Sequence, residues 1–429
     1  MVISMEKNEN RYLKRIVDDK ISNYLECFGA ICVEGPKWCG KTWTSNNHAN
    51  SSIYLADPSG NFNNRRLALM NPSLILSGAS PRLIDEWQEA PQLWDAIRYE
   101  VDFRGSKGQF ILTGSSTPKR DGIIHSGAGR IASIKMRTMS LFESGDSSGL
   151  VSLKDICDGK NIQLLTEEVS LERLAELIIR GGWPANLSVS KENQRLLPKE
   201  YIRTILDNEI FTLYNKKYDT HKMELLLKSL ARNEATTPTR NKLINDISVY
   251  DDDKIDSDTL ATYLNVFESM FLIESQKAFS PNVRSSIRIK QKEKIHFCDP
   301  SLACALLGLS KEMLINDLET FGFLFEALVE HDLRIYADSF NAKLYHYQDY
   351  NNNEIDAVIE LENGDWIAVE IKLGANQIEK ASEGLIKIKN KIEEAGGKAP
   401  KEMVVVCGLS NAAYKRPDGV YVVPITALS

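Results

Sequence analysis

Ala30-Ile31-Cys32-Val33-Glu34-Gly35-Pro36-Lys37-Trp38-Cys39-Gly40-Lys41-Thr42 is the stretch on which the fold turns. Ala30 to Val33 is an apolar run that reads as a buried strand. Gly35–Thr42 fits the pattern GxxxxGK[ST], and a helical stretch follows. That strand–loop–helix context matters, because backbone groups carry the chemistry. Loop N–H groups and the helix N-terminus form a concave nest of donors for phosphate. Gly40 lets the backbone approach closely. Lys41 brings positive charge to the β- and γ-phosphates, and Thr42 offers a hydroxyl to Mg²⁺. The expected contacts are therefore Gly35, Pro36, Lys37, Trp38, Cys39, Gly40, Lys41 and Thr42, and the expected ligand is ATP with Mg²⁺.

Further along, Pro81-Arg82-Leu83-Ile84-Asp85-Glu86 is an apolar strand that ends in two acids. Asp85 suits Mg²⁺, largely through the ion's water shell. Glu86 suits the orientation or polarisation of an attacking water. Gln109-Phe110-Ile111-Leu112-Thr113-Gly114-Ser115 is another strand ending in small polar residues. Thr113 or Ser115 reads either as a γ-phosphate contact or as an ordinary strand end. With Ile53–Leu55, these strands alternate with helical stretches, which implies a parallel sheet covered by helices.

The whole chain has 429 residues, a formal net charge of −7 and 43% hydrophobic residues. That length suits two or three domains rather than one core. The mild acidity speaks against wholesale coating of nucleic acid but leaves room for a local basic groove. No apolar run approaches the about 18 residues of a membrane span. The start, Met1 to Lys7, lacks the apolar core of a signal peptide. The seven cysteines are scattered and form no CxxC pair, so a reduced, cytoplasmic protein without a zinc site is expected.

Composition and periodicity divide the chain into 1–145, 146–221, 222–310 and 311–429. The first is the nucleotide domain. The second is a helical lid or linker, interrupted at Gly181-Gly182-Trp183-Pro184, and its Ser/Gly/Asp-rich opening (144–165) reads as a loop insertion or boundary. The third shows helices followed by a hairpin, the pattern of a winged helix-turn-helix. The fourth is a separate α/β domain.

The segments GPKWCGKT, LIDEWQEAP and FILTGSS, in that order, resemble the prokaryotic AAA-type P-loop ATPases that carry a C-terminal domain of unknown function. Arg180-Gly181-Gly182-Trp183-Pro184, Tyr201-Ile202-Arg203, Lys294-Ile295-His296-Phe297-Cys298-Asp299 and Phe325-Glu326 match the same pattern, so the resemblance covers nearly the whole chain. The family usually has Arg at the position of Lys37 and a small polar residue at that of Trp43; neither departure touches the phosphate-binding logic. The resemblance implies a P-loop NTPase sheet, a winged-helix module and a restriction-endonuclease-like domain. It also makes Arg130, in Gly127-Ala128-Gly129-Arg130, a candidate arginine finger acting on a neighbouring subunit, a device worth about 10³–10⁵ in rate. A homo-oligomer would follow. The bland reading of Arg130 is an ion-paired surface residue.

Two further features bear on nucleic acid. Val283–Ile295 holds Arg284, Arg288, Lys290, Lys292 and Lys294 against one acid, Glu293. This run reads as a wing that neutralises DNA phosphates, or as a solvated hairpin whose basic edge discourages aggregation. Asn353-Glu354-Ile355-Asp356 and Val369-Glu370-Ile371-Lys372 resemble the D…ExK hallmark of restriction-endonuclease-like nucleases, with Glu326 as the acid upstream.

Register tests that resemblance. A three-residue loop, Glu362-Asn363-Gly364, with Gly in the left-handed position, pairs Leu361 with Asp365 and hence Asp356 with Glu370. Opposed residues have Cβ atoms about 4.5–5.5 Å apart, so Asp356 and Glu370 would share one Mg²⁺, with Glu326 nearby and Lys372 on the same face. Ile355, Ala357 and Ile359 then line a core face with Ile367, Val369 and Ile371. The alternative is a charged surface hairpin with ordinary ion pairs. His346, on the preceding strand, reads as a structural residue. Two functions follow: an ATPase coupled to a nucleic-acid-directed nuclease-like domain, or a nucleotide-switched interaction or DNA-binding module with an inactive nuclease fold.

Overall fold

The structure, a computed structural model, describes residues 12–116, 125–211, 218–248, 255–282, 292–349 and 353–429. Met1–Lys7 and, from the basic run, Arg284, Arg288 and Lys290 lie outside the described residues. The chain divides into two compact units, Met1–Thr138 with Phe267–Leu272, and Met139–Val266 with Ile273–Ser429.

In the first unit, β1 (Ala30–Glu34), β2 (Ser51–Tyr54), β3 (Arg82–Asp85), β4 (Phe110–Gly114) and β5 (Ile131–Lys135) form one sheet in the order β2-β3-β4-β1-β5. All four pairings are parallel. Helices α1 (Val17–Cys27), α2 (Lys41–His48), α3 (Ser59–Met70) and α4 (Leu93–Arg104) accompany it. Alternate residues of each strand feed two cores. Ala30, Cys32, Ile84, Phe110 and Leu112 pack with Leu93, Ile97 and Val101 of α4. Ile31, Val33, Leu83, Ile111 and Ile134 pack on the other face with Ile21 of α1. Burial on both faces is why these strands read as unbroken apolar runs. Because β4 lies between β1 and β3, the segments after all three strands open at one end of the sheet. In open α/β sheets that end carries the ligand site.

The second unit begins with α5 (Leu153–Cys157), β6 (Gln163–Leu165), α6 (Leu171–Arg180) and α7 (Leu196–Thr204). Next come α8 (Thr220–Arg232), α9 (Arg240–Ser248) and α10 (Ser257–Ser269), and then an antiparallel pair, β7 (Ile273–Gln276) with β8 (Lys294–Phe297). Helices α11 (Pro300–Leu307), α12 (Lys311–Asn316) and α13 (Leu318–Ser339) lead into β9 (Lys343–Gln348), β10 (Glu354–Glu360) and β11 (Trp366–Lys372). Helix α14 (Ile378–Glu394) and strands β12 (Glu402–Cys407), β13 (Ala412–Lys415) and β14 (Val420–Pro424) complete it. The seven-stranded sheet runs β6-β13-β14-β12-β11-β10-β9. Ile378, Ala381, Leu385, Ile388 and Ile392 recur at helical spacing and give α14 one apolar stripe. That stripe covers Trp366, Ala368, Met403, Val405, Val420 and Val422, while α13 packs on β9, β10 and β11.

Residues 144–165, which read as a loop or boundary, instead contain α5 and the edge strand β6. The latter pairs Leu165 with Ala412 and Gln163 with Tyr414. A three-residue strand gives almost no periodic signal, and its partner is far along the chain. Among the described residues, no helix is long and apolar enough to cross a membrane. Six of the seven cysteines are buried thiols.

Candidate functional site

The loop after β1 has the geometry of a phosphate nest. Gly35 has no room for a side chain: a Cβ there would lie 2.0 Å from the Met136 carbonyl oxygen. Gly40 caps α2 with φ of 105°, the left-handed region that glycine adopts without a steric penalty. Trp38 also has positive φ, at 66°, and with Trp43 is half-exposed beside the loop. Pro36 offers its carbonyl to Lys41, whose buried Nζ donates to it at 2.8 Å, so the ammonium is held against the loop. Cys39 is fully buried. Lys37 lies in the loop between Pro36 and Trp38.

Residues from β3 and β4 complete the site. Thr42 Oγ1 donates to Asp85 Oδ1 at 2.8 Å, and Thr113 Oγ1 donates to the same oxygen at 2.7 Å. Thr113 also accepts the Glu86 backbone N–H at 3.1 Å. Its hydroxyl is thus engaged on both sides, by the end of β3. Glu86 sits in the left-handed region with φ of 57°, an uncommon conformation for a non-glycine residue. Ser115 Oγ donates to Glu86 Oε2 at 2.9 Å.

Burial pushes the Asp85 carboxyl above its ordinary range. Hydrogen bonds from Thr113 and Thr42 oppose the shift, and the Glu86 charge adds to it. The Asp85 carboxyl and the Thr42 hydroxyl, 2.8 Å apart, form an oxygen donor set of the kind that a hard divalent cation takes.

Sequence reasoning missed Arg15, which is 4% exposed. It donates to the Cys39 carbonyl at 2.8 Å and to the Arg137 carbonyl at 2.9 Å, bracing the loop. Asp18 anchors this segment by accepting from Arg15 N–H at 2.7 Å and from Tyr12 Oη at 2.7 Å, with His48 Nε2 2.8 Å away. Nothing in a lone arginine before a helix announces such a role.

Arg130 does not join this site within its own chain. It precedes β5, at the end of the sheet away from the loop, and Ala30 N–H donates to its carbonyl at 3.0 Å. Five residues of β5 separate the two ends, roughly 16 Å at about 3.3 Å per residue. Its Nε donates to Asp102 at 2.9 Å, and both side chains are near half-exposed.

In the second unit the β10–β11 hairpin has the register the loop chemistry implies. Ala357 pairs with Val369 and Glu360 with Trp366; the paired stretch ends there, one residue short of Asp356 and Glu370. Leu361 N–H donates to Asp365 O, and Gly364 has φ of 75°. Asp356 Oδ2 accepts from the Ile371 backbone N–H at 2.7 Å and from Lys372 Nζ at 3.2 Å. Lys372 Nζ also lies 2.9 Å from Glu370 Oε1. A bulge in β10 sets Asp356 and Ala357 against the single residue His346, and bulges of this kind re-aim side chains. The hairpin is not a solvent face: Trp366 and Ala368 are buried under α14, and Glu370 and Lys372 continue their alternation beyond that core. Burial, followed by the Asp356 charge, pushes the Glu370 carboxyl up to about 7, with Lys372 opposing.

Glu326 is engaged differently. Lys294 Nζ contacts Glu326 Oε1 at 2.6 Å, Glu330 Oε1 at 3.2 Å and the Asp356 carbonyl at 3.1 Å. Among the described residues, no three His, Cys, Asp or Glu side chains are grouped to hold a metal ion. Asp356 and Glu370 come together around Lys372, while Glu326 belongs to the Lys294 cluster. Lys294, read as part of a basic wing, is buried.

Behind it, His296 bridges Glu234 Oε1 and Glu330 Oε2, each at 2.9 Å. Burial pushes this imidazole down, but Glu330 and Glu234 outweigh it and raise it to about 9. His346 is buried and lies 3.0 Å from the Lys292 carbonyl. Burial and the Lys294 charge lower it to about 4, so the neutral ring donates Nε2–H there.

The motif Arg180–Pro184 is structural. Gly182 N–H donates to Asp299 at 2.8 Å, Trp183 Nε1 to Ser301 at 2.9 Å, and Arg180 to Asp146 at 2.6 Å.

Three family models match successive stretches of the chain. Residues 28–144 match an AAA domain, 171–313 a domain of unknown function (DUF8612) and 321–428 a domain of unknown function (DUF4143). Uncharacterized proteins of Mycobacterium bovis (Mb2031c) and Mycobacterium tuberculosis (Rv2008c) are each 23% identical over 336 residues, covering 77% of this chain and 67% of theirs. Among solved structures, the Walker-type ATPase paby2304 of Pyrococcus abyssi has a TM-score of 0.44 at 13% identity, covering 70% of this chain and 97% of its own. A STAND protein with a tetratricopeptide repeat sensor, PH0952 of Pyrococcus horikoshii, has a TM-score of 0.20 at 13% identity, covering 76% and 48%. The AAA match, the parallel sheet and the loop after β1 together support a P-loop NTPase fold and a P-loop ATPase domain at residues 28–144.

Proposed function

We propose that this chain binds ATP and hydrolyses it where the loop after β1 meets the ends of β3 and β4. The Thr42–Asp85 hydrogen bond carries the reading, because it joins the phosphate-loop helix to the acid-bearing strand. Loop N–H groups and Lys41 would receive the phosphates. Thr42 and Asp85 would hold Mg²⁺, which when bound draws charge from the phosphate oxygens. Glu86 would orient the attacking water. Thr113 would brace Asp85 and Glu86 rather than read the γ-phosphate. Arg130 would serve only a neighbour's site, so a homo-oligomer is the expected assembly, and the cytoplasm is the expected compartment.

The test is phosphate release from ATP with and without Mg²⁺. Turnover should vanish in Lys41→Ala through lost binding. In Glu86→Gln it should vanish with binding retained, which Trp38 and Trp43 fluorescence would report. Undiminished turnover in both variants sinks the assignment.

In the same proposal, ATP controls a nucleic-acid-directed, Mg²⁺-dependent nuclease-like domain, with DNA met by the winged-helix-like segment 222–310. The gathering of Asp356, Glu370 and Lys372 supports it. The engagement of Glu326 by Lys294 favours a second reading, a nucleotide-switched interaction module with an inactive nuclease fold. Single- and double-stranded DNA and RNA, incubated with Mg²⁺ or Mn²⁺, separate the two. Cleavage lost in Asp356→Ala and Lys372→Ala supports the nuclease; no cleavage under any condition favours the interaction module.

A further inference from the structure

Gln88 lies two residues beyond Glu86, in the short turn Trp87–Glu89 that follows β3. Its side-chain Nε2 donates to Glu86 Oε2, and also to Ser115 Oγ at 3.2 Å. Ser115, 5% exposed, donates to the same Glu86 oxygen at 2.9 Å. The three side chains close a triangle between the ends of β3 and β4. The amide orientation follows from chemistry, since a carboxylate accepts only and must meet the NH₂ end. Gln88 Oε1 is meanwhile buried with no hydrogen-bond partner among the described residues. Buried amide oxygens are ordinarily satisfied. Only the NH₂ end of the amide is engaged, and both of its bonds go to the Glu86–Ser115 pair.

Both side-chain bonds fall on Oε2 and, among the described residues, none falls on Oε1. Asp85 is fixed separately, by Thr42 and Thr113. The Glu86 backbone is pinned as well: its N–H donates to Thr113 Oγ1 at 3.1 Å, and its carbonyl accepts from Glu89 N–H at 3.0 Å. We infer that Gln88 and Ser115 are positioning residues for hydrolysis, holding Glu86 Oε2 so that Oε1 is presented to the attacking water. This rests on the ATPase reading above. In the step they serve, the water oxygen bonds to the γ-phosphorus, and the bond from that phosphorus to the bridging oxygen breaks. The bridging oxygen keeps the electron pair and leaves on ADP. The water proton passes by way of Glu86 Oε1 to solvent.

The experiment uses the full chain with Mg²⁺ and ATP, and measures phosphate release against ATP concentration. Nucleotide affinity is measured separately with a fluorescent ATP analogue. Gln88→Ala and Ser115→Ala should each lower kcat by on the order of 10²-fold, the usual consequence of a misplaced reacting group, with KM and Kd unchanged. Ser115→Thr, which keeps the hydroxyl, should restore kcat. Three results would overturn the inference: kcat unchanged in both alanine variants while Glu86→Gln abolishes turnover, kcat and nucleotide binding lost together, or no rescue by threonine. A wild-type chain that binds nucleotide yet releases no phosphate removes the hydrolysis reading itself, and this inference with it.

Discussion

Thr42 and Asp85 are joined by a 2.8 Å hydrogen bond, and Thr113 reaches the same carboxylate oxygen from the neighbouring strand. The end of β3 is thereby held from two sides. Thr113→Val keeps the shape but removes the donor to Asp85 and the acceptor of the Glu86 N–H. That leaves a partly buried backbone donor unsatisfied, at a cost towards the lower end of about 1–3 kcal/mol. Denaturant unfolding should show this loss, and ATP turnover should fall more steeply than ATP affinity.

Gly35→Ala tests the loop itself. The added Cβ would meet the Met136 carbonyl oxygen at 2.0 Å, a contact that only backbone movement relieves. ATP affinity should fall by at least about tenfold, or 1.4 kcal/mol, in a fluorescent-nucleotide titration. An equal substitution at Gly384, inside α14, where a Cβ meets nothing within 4 Å, serves as the control.

Lys294→Met leaves Glu326 and Glu330 without their shared ammonium. Breaking a buried ion pair from one side costs on the order of 3–5 kcal/mol, so the thermal midpoint should drop. Glu330 keeps His296 as a partner, so adding Glu326→Gln, which removes the other stranded carboxylate, should recover part of the loss. Failure to recover would mean that Lys294 acts mainly through the Asp356 carbonyl.

Stability should fall as pH rises from about 6.5 to about 9. His296 is raised from 6.5 to about 9 in the fold. The native state therefore binds this proton more tightly than the unfolded chain does, and the stabilisation is complete below 6.5 and lost through 9. Glu326, pushed up to about 8 by burial first, with Asp356 and Glu330 adding and Lys294 opposing, acts in the same direction. A tenfold gain in proton affinity on folding corresponds to about 1.4 kcal/mol. Thermal melts across this range should slope downward, and His296→Gln should flatten the slope.

What the sequence reveals depends on how local the cause is. The strand–loop–helix at Gly35–Thr42, the strand that ends at Asp85 and the β10–β11 register are legible, because each follows from a short pattern with one geometric outcome. The three-residue turn ending in Gly364 fixes the hairpin by itself. Arg15, Gln88 and the Lys294 cluster are not legible. Arg15 acts on the Cys39 carbonyl 24 residues away, and Lys294 on Glu326 32 residues away. No periodicity encodes such meetings. A charged residue that turns inward looks, in one dimension, like one that turns outward. The basic run illustrates this: Lys294 reads as a phosphate-seeking cation and is spent on two glutamates.

The pairing of β6 with β13 has a consequence for biosynthesis. The five strands of the first sheet are all translated by residue 135, so it can assemble early on the ribosome. The second sheet takes its edge from Gln163–Leu165 but the partner of that edge from Ala412–Tyr414. Until those late residues emerge, an early-made strand waits without its neighbour, and long-range pairings of this kind form slowly. Unpaired edges are also where nascent chains associate wrongly. Cutting the chain near residue 311 to isolate the last domain would remove β6 altogether and leave β13 with one bare side. A fragment that starts at Met139 keeps the pair together.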